Sequence, residues 1–175
     1  MFKHLEEGDA DFAFLVKAPG FDECCLFSKK PFTSTELRVY HKQSKRPIKT
    51  EQDLIGQSLI TLRGYSYGPL KPFLNHAENR LTLSPTATHE SAFAMLERGR
   101  ADYVLNYKHP SIEVLLKQPI EDVVFSPLRE IKLYMVLNKR YPNAKQVMAE
   151  LERAMSELDV DAIMDLPKDS AQIKP

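Results

Sequence analysis

Cysteine, net charge and long apolar runs are all scarce in this chain, and each absence excludes a class of protein. Cys24 and Cys25 are the only cysteines, and because they are adjacent a disulfide between them would be strained, so a secreted-type disulfide framework is excluded. They are expected to be core or loop thiols, with a redox pair as the alternative. The 24 basic and 24 acidic residues cancel, so no overall field attracts a polyanion and no nucleic-acid partner is expected.

The apolar runs are too short to cross a membrane. The run at 123–125 is typical, and it falls far below the length that spans a bilayer, so no direct membrane insertion is expected. The first residues include Glu6, Glu7 and Asp9, where a signal peptide needs an apolar core, so the chain as written has no export signal. With 175 residues and 43% hydrophobic content, it can form one good core or two small ones.

One short pattern occurs twice. Leu-Glu-Glu-Gly-Asp-Ala-Asp-Phe at 5–12 returns as Leu-Glu-Arg-Gly-Arg-Ala-Asp-Tyr at 96–103. Leu-Glu-x-Gly is typical of a helix that ends at a glycine with left-handed backbone angles, and Ala-Asp-aromatic is typical of the start of a buried strand. The pattern indicates two similar α/β units about 90 residues apart, which suits two lobes with a ligand cleft between them. A chance echo of a common helix-to-strand junction is the alternative.

Apolar periodicity predicts alternating strands and helices. Strands are expected at 11–16, 37–41, 58–62, 102–107 and 131–137. Four helices are expected. The first ends at Glu7, and the second starts near Pro69. The third runs from an N-cap at Thr88 to a stop at Gly99, and the fourth covers 144–158. The polar connection 42–49 contains Pro47 and is the candidate boundary between the lobes.

Several short motifs follow one another in an informative order. They are the pattern at 5–12, Phe-Ser-Lys-Lys-Pro-Phe at 27–32, Asp-Leu-Ile-Gly at 53–56 before a strand, Gly-Tyr-Ser at 64–66 after it, Gly-Arg-Ala-Asp at 99–102, and a return strand followed by an amphipathic helix. In this order the chain resembles the type II periplasmic solute-binding proteins, in particular the family 3 class that binds polar amino acids for ABC transporters. The motifs extend over most of the chain.

The resemblance implies a two-lobed α/β architecture of the type II periplasmic-binding-protein kind. Lobe 1 would comprise 1–40 and 130–160, lobe 2 would comprise 41–129, and 161–175 would form a C-terminal tail. Two crossing strands would join the lobes, and hinge closure would hold the solute between them. The first lobe is expected to be incomplete, because the family has further strands and a helix before the segment that matches 5–12. Either the start has been placed too far downstream, or the chain completes itself with a second copy.

The resemblance also implies a function without catalysis. The expected ligand is a small-molecule solute, and a membrane permease is the candidate protein partner. No cofactor is implied. The location implied is the periplasm, or the cytoplasm if Met1 is the true start.

Two departures from the family bear on the ligand. Family members place an arginine before the Phe-Ser motif, where it forms a bidentate pair with the ligand carboxylate, and Phe21 stands at that position here. An acidic residue that receives the ligand ammonium is replaced by Asn106. A standard zwitterionic amino acid is therefore not the expected ligand. A less charged or aromatic solute is expected, with a degenerate module that docks a protein partner as the alternative.

The candidate ligand-binding residues surround the ends of the predicted strands. They are Arg63, Gly64, Tyr65, Ser66, Thr88 and Asn106, with Phe21 as an apolar wall. Backbone N–H groups around Gly64 at a helix start would accept a carboxylate or a similar group, and Arg63 would add a charge. One or two of the four tyrosines at 65, 67, 103 and 107 are candidates to stack on a ligand, although tyrosines at such places are more often core or rim residues. Helix capping explains Thr88 without any ligand.

Three other interpretations of the sequence compete with solute binding. Gly-Tyr-Ser-Tyr-Gly at 64–68 fits the nucleophile elbow of the α/β-hydrolases, with Ser66 as nucleophile and Asp102, His109 or Asp122 as partners. Too little chain flanks Ser66 to form the large sheet of that fold. A regulatory domain of the LysR type would need a DNA-binding helix-turn-helix, and the chain has none. A metal site is not expected, because the histidines lack ligand spacing.

Overall fold

The computed structural model describes residues 2–17, 22–65 and 67–160. The strands are β1 (Phe12–Leu15), β2 (Cys25–Phe27), β3 (Thr33–Lys42), β4 (Ser58–Leu62), β5 (Thr82–Thr86), β6 (Tyr103–Tyr107) and β7 (Val123–Asn138). The helices are α1 (Phe2–Glu7), α2 (Lys71–Asn75), α3 (His89–Glu97), α4 (Lys108–Lys117) and α5 (Ala144–Ser156). The predictions for Phe21, Ser66 and the tail 161–175 lie outside the described residues.

The chain divides into two units. Within the described residues, unit 1 holds 2–34 and 131–160, and unit 2 holds 35–130. The chain therefore passes between units at 34/35 and 130/131, whereas the sequence placed these passages at 40/41 and 129/130. The first passage thus lies inside β3, which runs unbroken from Thr33 to Lys42. The polar connection after it marks the end of that strand, and it belongs to unit 2.

Unit 1 is a three-stranded antiparallel sheet with a helix on each face. The last part of β7 pairs with β1 through Ala13↔Val136 and with β2 through Phe27↔Val136, so β7 lies between them. Val136 packs with Leu5 of α1. Met135 and Leu137 point to the opposite face, because successive side chains of a strand alternate, and they pack with α5 residues such as Met148. The helical spacing of the apolar residues in α5 supplies the surface that covers this face.

Unit 2 contains the parallel strands that form the candidate site. β4 runs parallel to β5 on one side and to β6 on the other, and β3 pairs antiparallel with β6. One face of this sheet is covered by α3 and α4, whose side chains meet Tyr40, Ile60 and Val104 in the main core cluster. Because the three parallel strands share one direction, their carboxyl ends lie at a common edge.

Most of the predicted elements are present. β4 has the predicted bounds, α3 follows the predicted N-cap Thr88, and Gly99 has φ +65° after that helix. β7 begins eight residues before the predicted strand at 131, and β2, β5 and α4 were not predicted. In the described parts of the chain, no helix is long and apolar enough to cross a membrane.

Candidate functional site

Residues from the ends of three parallel strands meet at one edge of unit 2. We call residues 63–65, 88–89 and 106–107 the carboxyl edge, because they follow or end β4, β5 and β6. The Arg63 N–H donates to the Thr86 carbonyl at 2.8 Å, which extends the β4–β5 pairing to the point where the two chains turn away. Ligands of open α/β sheets bind at such edges.

A row of hydrogen bonds joins Tyr65, His89 and Asn106. The Asn106 side chain is fully buried, with 0% of the residue exposed, and its Oδ1 accepts the Tyr107 N–H at 2.9 Å. Its Nδ2 and Oδ1 lie 3.0 and 3.1 Å from His89 Nδ1, and His89 Nε2 lies 3.1 Å from the Tyr65 hydroxyl. In the tautomer in which the Asn106 amide donates to Nδ1, the Nε2 atom has the proton and donates to Tyr65. In that arrangement the Tyr65 hydroxyl can donate its own proton to a further acceptor.

Three tyrosine rings border this row. Tyr67 and Tyr107 are stacked with centroids 6.0 Å apart, and Tyr65 lies 5.8 Å from Tyr107 and perpendicular to the His89 ring. Burial raises the pKa of Tyr107 to about 12 and also raises the pKa values of Tyr65 and Tyr67. All three phenols therefore remain protonated at neutral pH. Only Tyr65 among them is well exposed, at 42%, and it presents both a ring face and a hydroxyl.

The buried Tyr67 has a structural role beneath the edge. Its hydroxyl accepts the Leu62 N–H at 2.6 Å and donates to the Leu105 carbonyl at 3.2 Å. The described β4–β6 pairs end at Ile60↔Val104, so the phenol bridges the two strands beyond their direct pairing. Tyr67 adopts φ +53°, a region that costs energy for a residue with a side chain, and the two hydrogen bonds offset that cost.

The remaining predicted residues differ in how they are engaged. Thr88 caps α3, because its side chain accepts the Ser91 N–H at 3.1 Å. Arg63 and Gly64 are exposed, and Gly64 has φ +80°, which explains the glycine in this turn. Among the described residues, Arg63 has no ion pair. The structure thus brings Arg63, Gly64, Tyr65, Thr88 and Asn106 to one edge, whereas Phe21 and Ser66 lie outside the described residues.

The sequence did not reveal the part played by His89, nor that of Arg38. His89 was visible only as the residue after a helix cap. Arg38 pairs with Asn106 in the β3–β6 register and is 3% exposed. Its guanidinium lies 3.7 Å from the centroid of the Phe125 ring and forms an ion pair with Glu36. The available signal was a charged residue inside the apolar strand Leu-Arg-Val-Tyr.

The acid suggested for a hydrolase, Asp102, does not lie at this edge. Asp102 precedes β6, at the opposite end of the strand from Tyr107, and it bonds Lys45 at 2.5 Å and Ser58 at 3.2 Å. The Lys45 ammonium holds the pKa of Asp102 below its usual range. His109 Nδ1 lies 3.3 Å from the Thr35 hydroxyl. Within the described residues, no group of three metal-ligating side chains is found.

Comparison with solved structures places the fold. No protein-family model and no curated sequence matches the chain. A mutant of the arginine-binding protein ArgBP from T. maritima matches with a TM-score of 0.70 and 17% identity, over 89% of this chain and 67% of that one. An ancestral arginine-binding protein bound to arginine matches with a TM-score of 0.73 and 16% identity, over 92% and 71%. The chain has the fold of the type II solute-binding proteins. The substrate-binding protein of an amino acid ABC transporter also shares this fold, with a TM-score of 0.67 and 16% identity over 93% of this chain and 75% of that one.

The chain is shorter than the solved proteins whose fold it shares. The solute-binding fold extends over nearly the whole chain, yet the chain spans only 67–75% of the three solved structures described above.

Proposed function

We propose that the chain binds a small solute, without catalysis, at the carboxyl edge of unit 2. The observation on which this rests is the Tyr65–His89–Asn106 row, which directs an exposed phenol outward from a buried, hydrogen-bonded amide. The fold supports the proposal, since the solved structures that share it are described as arginine-binding and amino acid transporter proteins. That a second lobe closes over the solute stays a prediction from the sequence.

The solute is expected to lack an ammonium group near Asn106. A neutral amide cannot form an ion pair with an ammonium, and both ends of this amide are already engaged by His89 and the Tyr107 N–H. A desolvated cation without a counter-ion is costly.

The solute is expected to contain a carboxylate and an aromatic or unsaturated body. The outward proton of Tyr65 and the exposed guanidinium of Arg63 both favour an anionic oxygen acceptor. The Tyr65 ring, 42% exposed, offers a face for stacking, which is worth about 0.5–1.5 kcal/mol for an aromatic pair. These two requirements describe a small aromatic carboxylate better than a polar amino acid.

Native mass spectrometry of the purified chain is the first test. An additional discrete mass that dissociates on mild activation would support solute binding and begin to identify the solute. Bare protein that also fails to bind any probe below would contradict the proposal, and it would favour the alternative of a module that docks a protein partner.

A pair of ligands that differ in one group tests the solute class. 3-Phenylpropanoate and L-phenylalanine differ only in the ammonium, and calorimetry should show the first binding more tightly by about tenfold, or ~1.4 kcal/mol. L-Arginine and L-glutamate serve as further probes. Tighter binding of any of the three amino acids would refute the proposed solute class while leaving solute binding intact.

A matched pair of variants tests the residues. Tyr65→Phe removes the outward hydroxyl and keeps the ring, and it should weaken 3-phenylpropanoate binding about tenfold, as expected for a hydrogen bond to a charged group. Tyr141→Phe is the control, because Tyr141 has a similar exposure, 38%, and lies in unit 1. Equal affinities of the two variants would exclude Tyr65 from the site.

The hydrolase alternative has its own test. Asp102 is engaged by Lys45 at the far end of β6, so it does not form a triad at the carboxyl edge. A fluorophosphonate probe should therefore leave Ser66 unlabelled, and stoichiometric labelling would establish an activated serine.

A membrane permease as partner and a periplasmic location belong to the same proposal. Both come from the resemblance to transporter binding proteins. Fractionation of cells that express the chain from its own gene would test the location, and cross-linking in those cells would test the partner.

A further inference from the structure

The two cysteines form a close pair of thiols in unit 1, whereas the carboxyl edge belongs to unit 2. Cys24 and Cys25 are not joined by a disulfide, and their Sγ atoms lie 2.7 Å apart. Cys25 is 2% exposed and begins β2, whereas Cys24 is partly exposed just before it. We propose that this pair is a reversible oxidation site, at which a hydroperoxide converts the two thiols into a vicinal disulfide.

The exposure of the two thiols assigns their order of reaction. The Cys24 sulfur, as thiolate, attacks the terminal peroxide oxygen, the O–O bond breaks, and the alcohol leaves with a proton, so that Cys24 becomes a sulfenic acid. The Cys25 sulfur then attacks the Cys24 sulfur, the S–O bond breaks, and the departing hydroxide takes the Cys25 proton as water. Two thiols and one hydroperoxide thus give one disulfide, one alcohol and one water.

The buried position of Cys25 suits it to the second step. Burial and the hydrogen bond with Cys24 raise the pKa of Cys25 to about 12, so it is a poor first nucleophile toward a peroxide in solution. Its sulfur is nevertheless already beside Cys24, so the second step needs no diffusion.

Reversibility follows from the covalent geometry. Adjacent Cα atoms are ~3.8 Å apart across a trans peptide, below the ~4.4–6.8 Å that disulfides usually span. The bond that forms is therefore strained, and strained disulfides are the easily reduced ones. This separates the pair from a structural crosslink, which would resist cellular thiols.

Closing the ring should disturb one backbone hydrogen bond and spare its neighbour. A disulfide between adjacent cysteines closes an eight-membered ring that includes the Cys24–Cys25 peptide and must twist it. The carbonyl of this peptide, on Cys24, accepts the Lys139 N–H at 2.9 Å. The preceding amide, Asn138 N–H, donates to the Asp11 carbonyl at 2.8 Å on the opposite side of β7. Oxidation should therefore loosen the Lys139 amide selectively.

Peroxide treatment of the whole chain tests the chemistry. After hydrogen peroxide and alkylation, tryptic peptide 18–29 should have lost two hydrogens and carry no alkyl group. Dithiothreitol or glutathione should restore two alkylatable thiols. Sulfinic or sulfonic acid at Cys24, an intermolecular disulfide, or two unreacted thiols would each overturn the proposal.

Single variants test the order of the steps. Cys25→Ser should accumulate a sulfenic acid that dimedone labels at Cys24, whereas Cys24→Ser should react with neither peroxide nor dimedone. Folding of both variants is checked by circular dichroism. If either fails to fold, hydrogen exchange of the wild-type chain before and after oxidation still tests whether the disulfide forms. There, oxidation should accelerate exchange at Lys139 by tenfold or more and leave Asn138 unchanged. Unchanged exchange at Lys139 would show that the ring does not form.

Discussion

Replacing Tyr67 with phenylalanine removes one buried hydroxyl that connects two strands. Tyr67 is 3% exposed, and Leu62 and Leu105, whose backbone it bonds, are 4% and 0% exposed. Tyr67→Phe therefore leaves a donor and an acceptor without partners in the core. Each unsatisfied buried group costs about 1–3 kcal/mol, so we expect a loss of about 3 kcal/mol in the free energy of unfolding. For a chain of this size, that loss lowers Tm by roughly 6–12 °C.

Chemical denaturation followed by far-ultraviolet circular dichroism measures this loss. The chain contains no tryptophan, so its intrinsic fluorescence comes from tyrosine, which Tyr67→Phe would alter, whereas circular dichroism follows the backbone. Tyr107→Phe is the matched control, because its ring stacks on Tyr67, and its hydroxyl has no hydrogen bond within the described residues. We expect this control to stay within about 1 kcal/mol of wild type.

A small effect of Tyr67→Phe would refute the reasoning. A loss below about 1 kcal/mol would mean that Leu62 N–H and Leu105 C=O re-form a direct bond, so the strands would not need the phenol as a bridge. It would also mean that the φ of +53° at position 67 is maintained by ring packing alone.

Three further changes probe the elements that position the carboxyl edge. Thr88→Ala should destabilise the chain by about 1 kcal/mol through loss of the cap on Ser91 N–H, with Thr88→Ser near neutral, and thermal melts would show the difference. Gly99→Ala should lower the free energy of unfolding by about 1 kcal/mol, because the residue has φ +65° with open space around it. Gly99→Asn should lower it less, since asparagine tolerates that backbone region. Equal losses for the two variants would point to a cause other than the backbone angle. Because Lys45 lowers the folded-state pKa of Asp102, this carboxylate stabilises the fold above its unfolded pKa and loses that contribution as pH falls through the folded value. Asp102→Asn should therefore flatten the pH dependence of stability below about pH 4, and an unchanged slope in acid denaturation would contradict it.

Much of the fold could be predicted because local signals and tertiary contacts agree. Thr88 and Gly99 are separately favourable at a helix start and after a helix end, and the structure uses them there. β5 was missed because its burial is low and it contains Pro85, which argues against a strand. β7 was predicted too short because Ser126 and Pro127 interrupt its apolar pattern.

The candidate site could be predicted only in part. Tyr65 was identified from its place after a strand and Asn106 from the acidic position of the family that the chain resembles, but nothing in the sequence connects them through His89. The contacts of His89 with Tyr65 and Asn106 depend on β4, β5 and β6 ending at the same edge, which is a property of the whole sheet. A histidine after a helix cap has many unremarkable explanations, so its partner could be found only in the folded chain.

The sequence by itself determined the local elements and the two-unit plan, and its resemblance to the solute-binding proteins singled out Phe21 and Asn106. The local elements follow from periodicity and backbone preference, which act over a few residues. Only the tertiary structure decided that Tyr67 bridges β4 and β6 and that Asn106 orients His89 toward Tyr65. Burial is the physical reason, since a polar group removed from water must find its partner wherever the fold brings one.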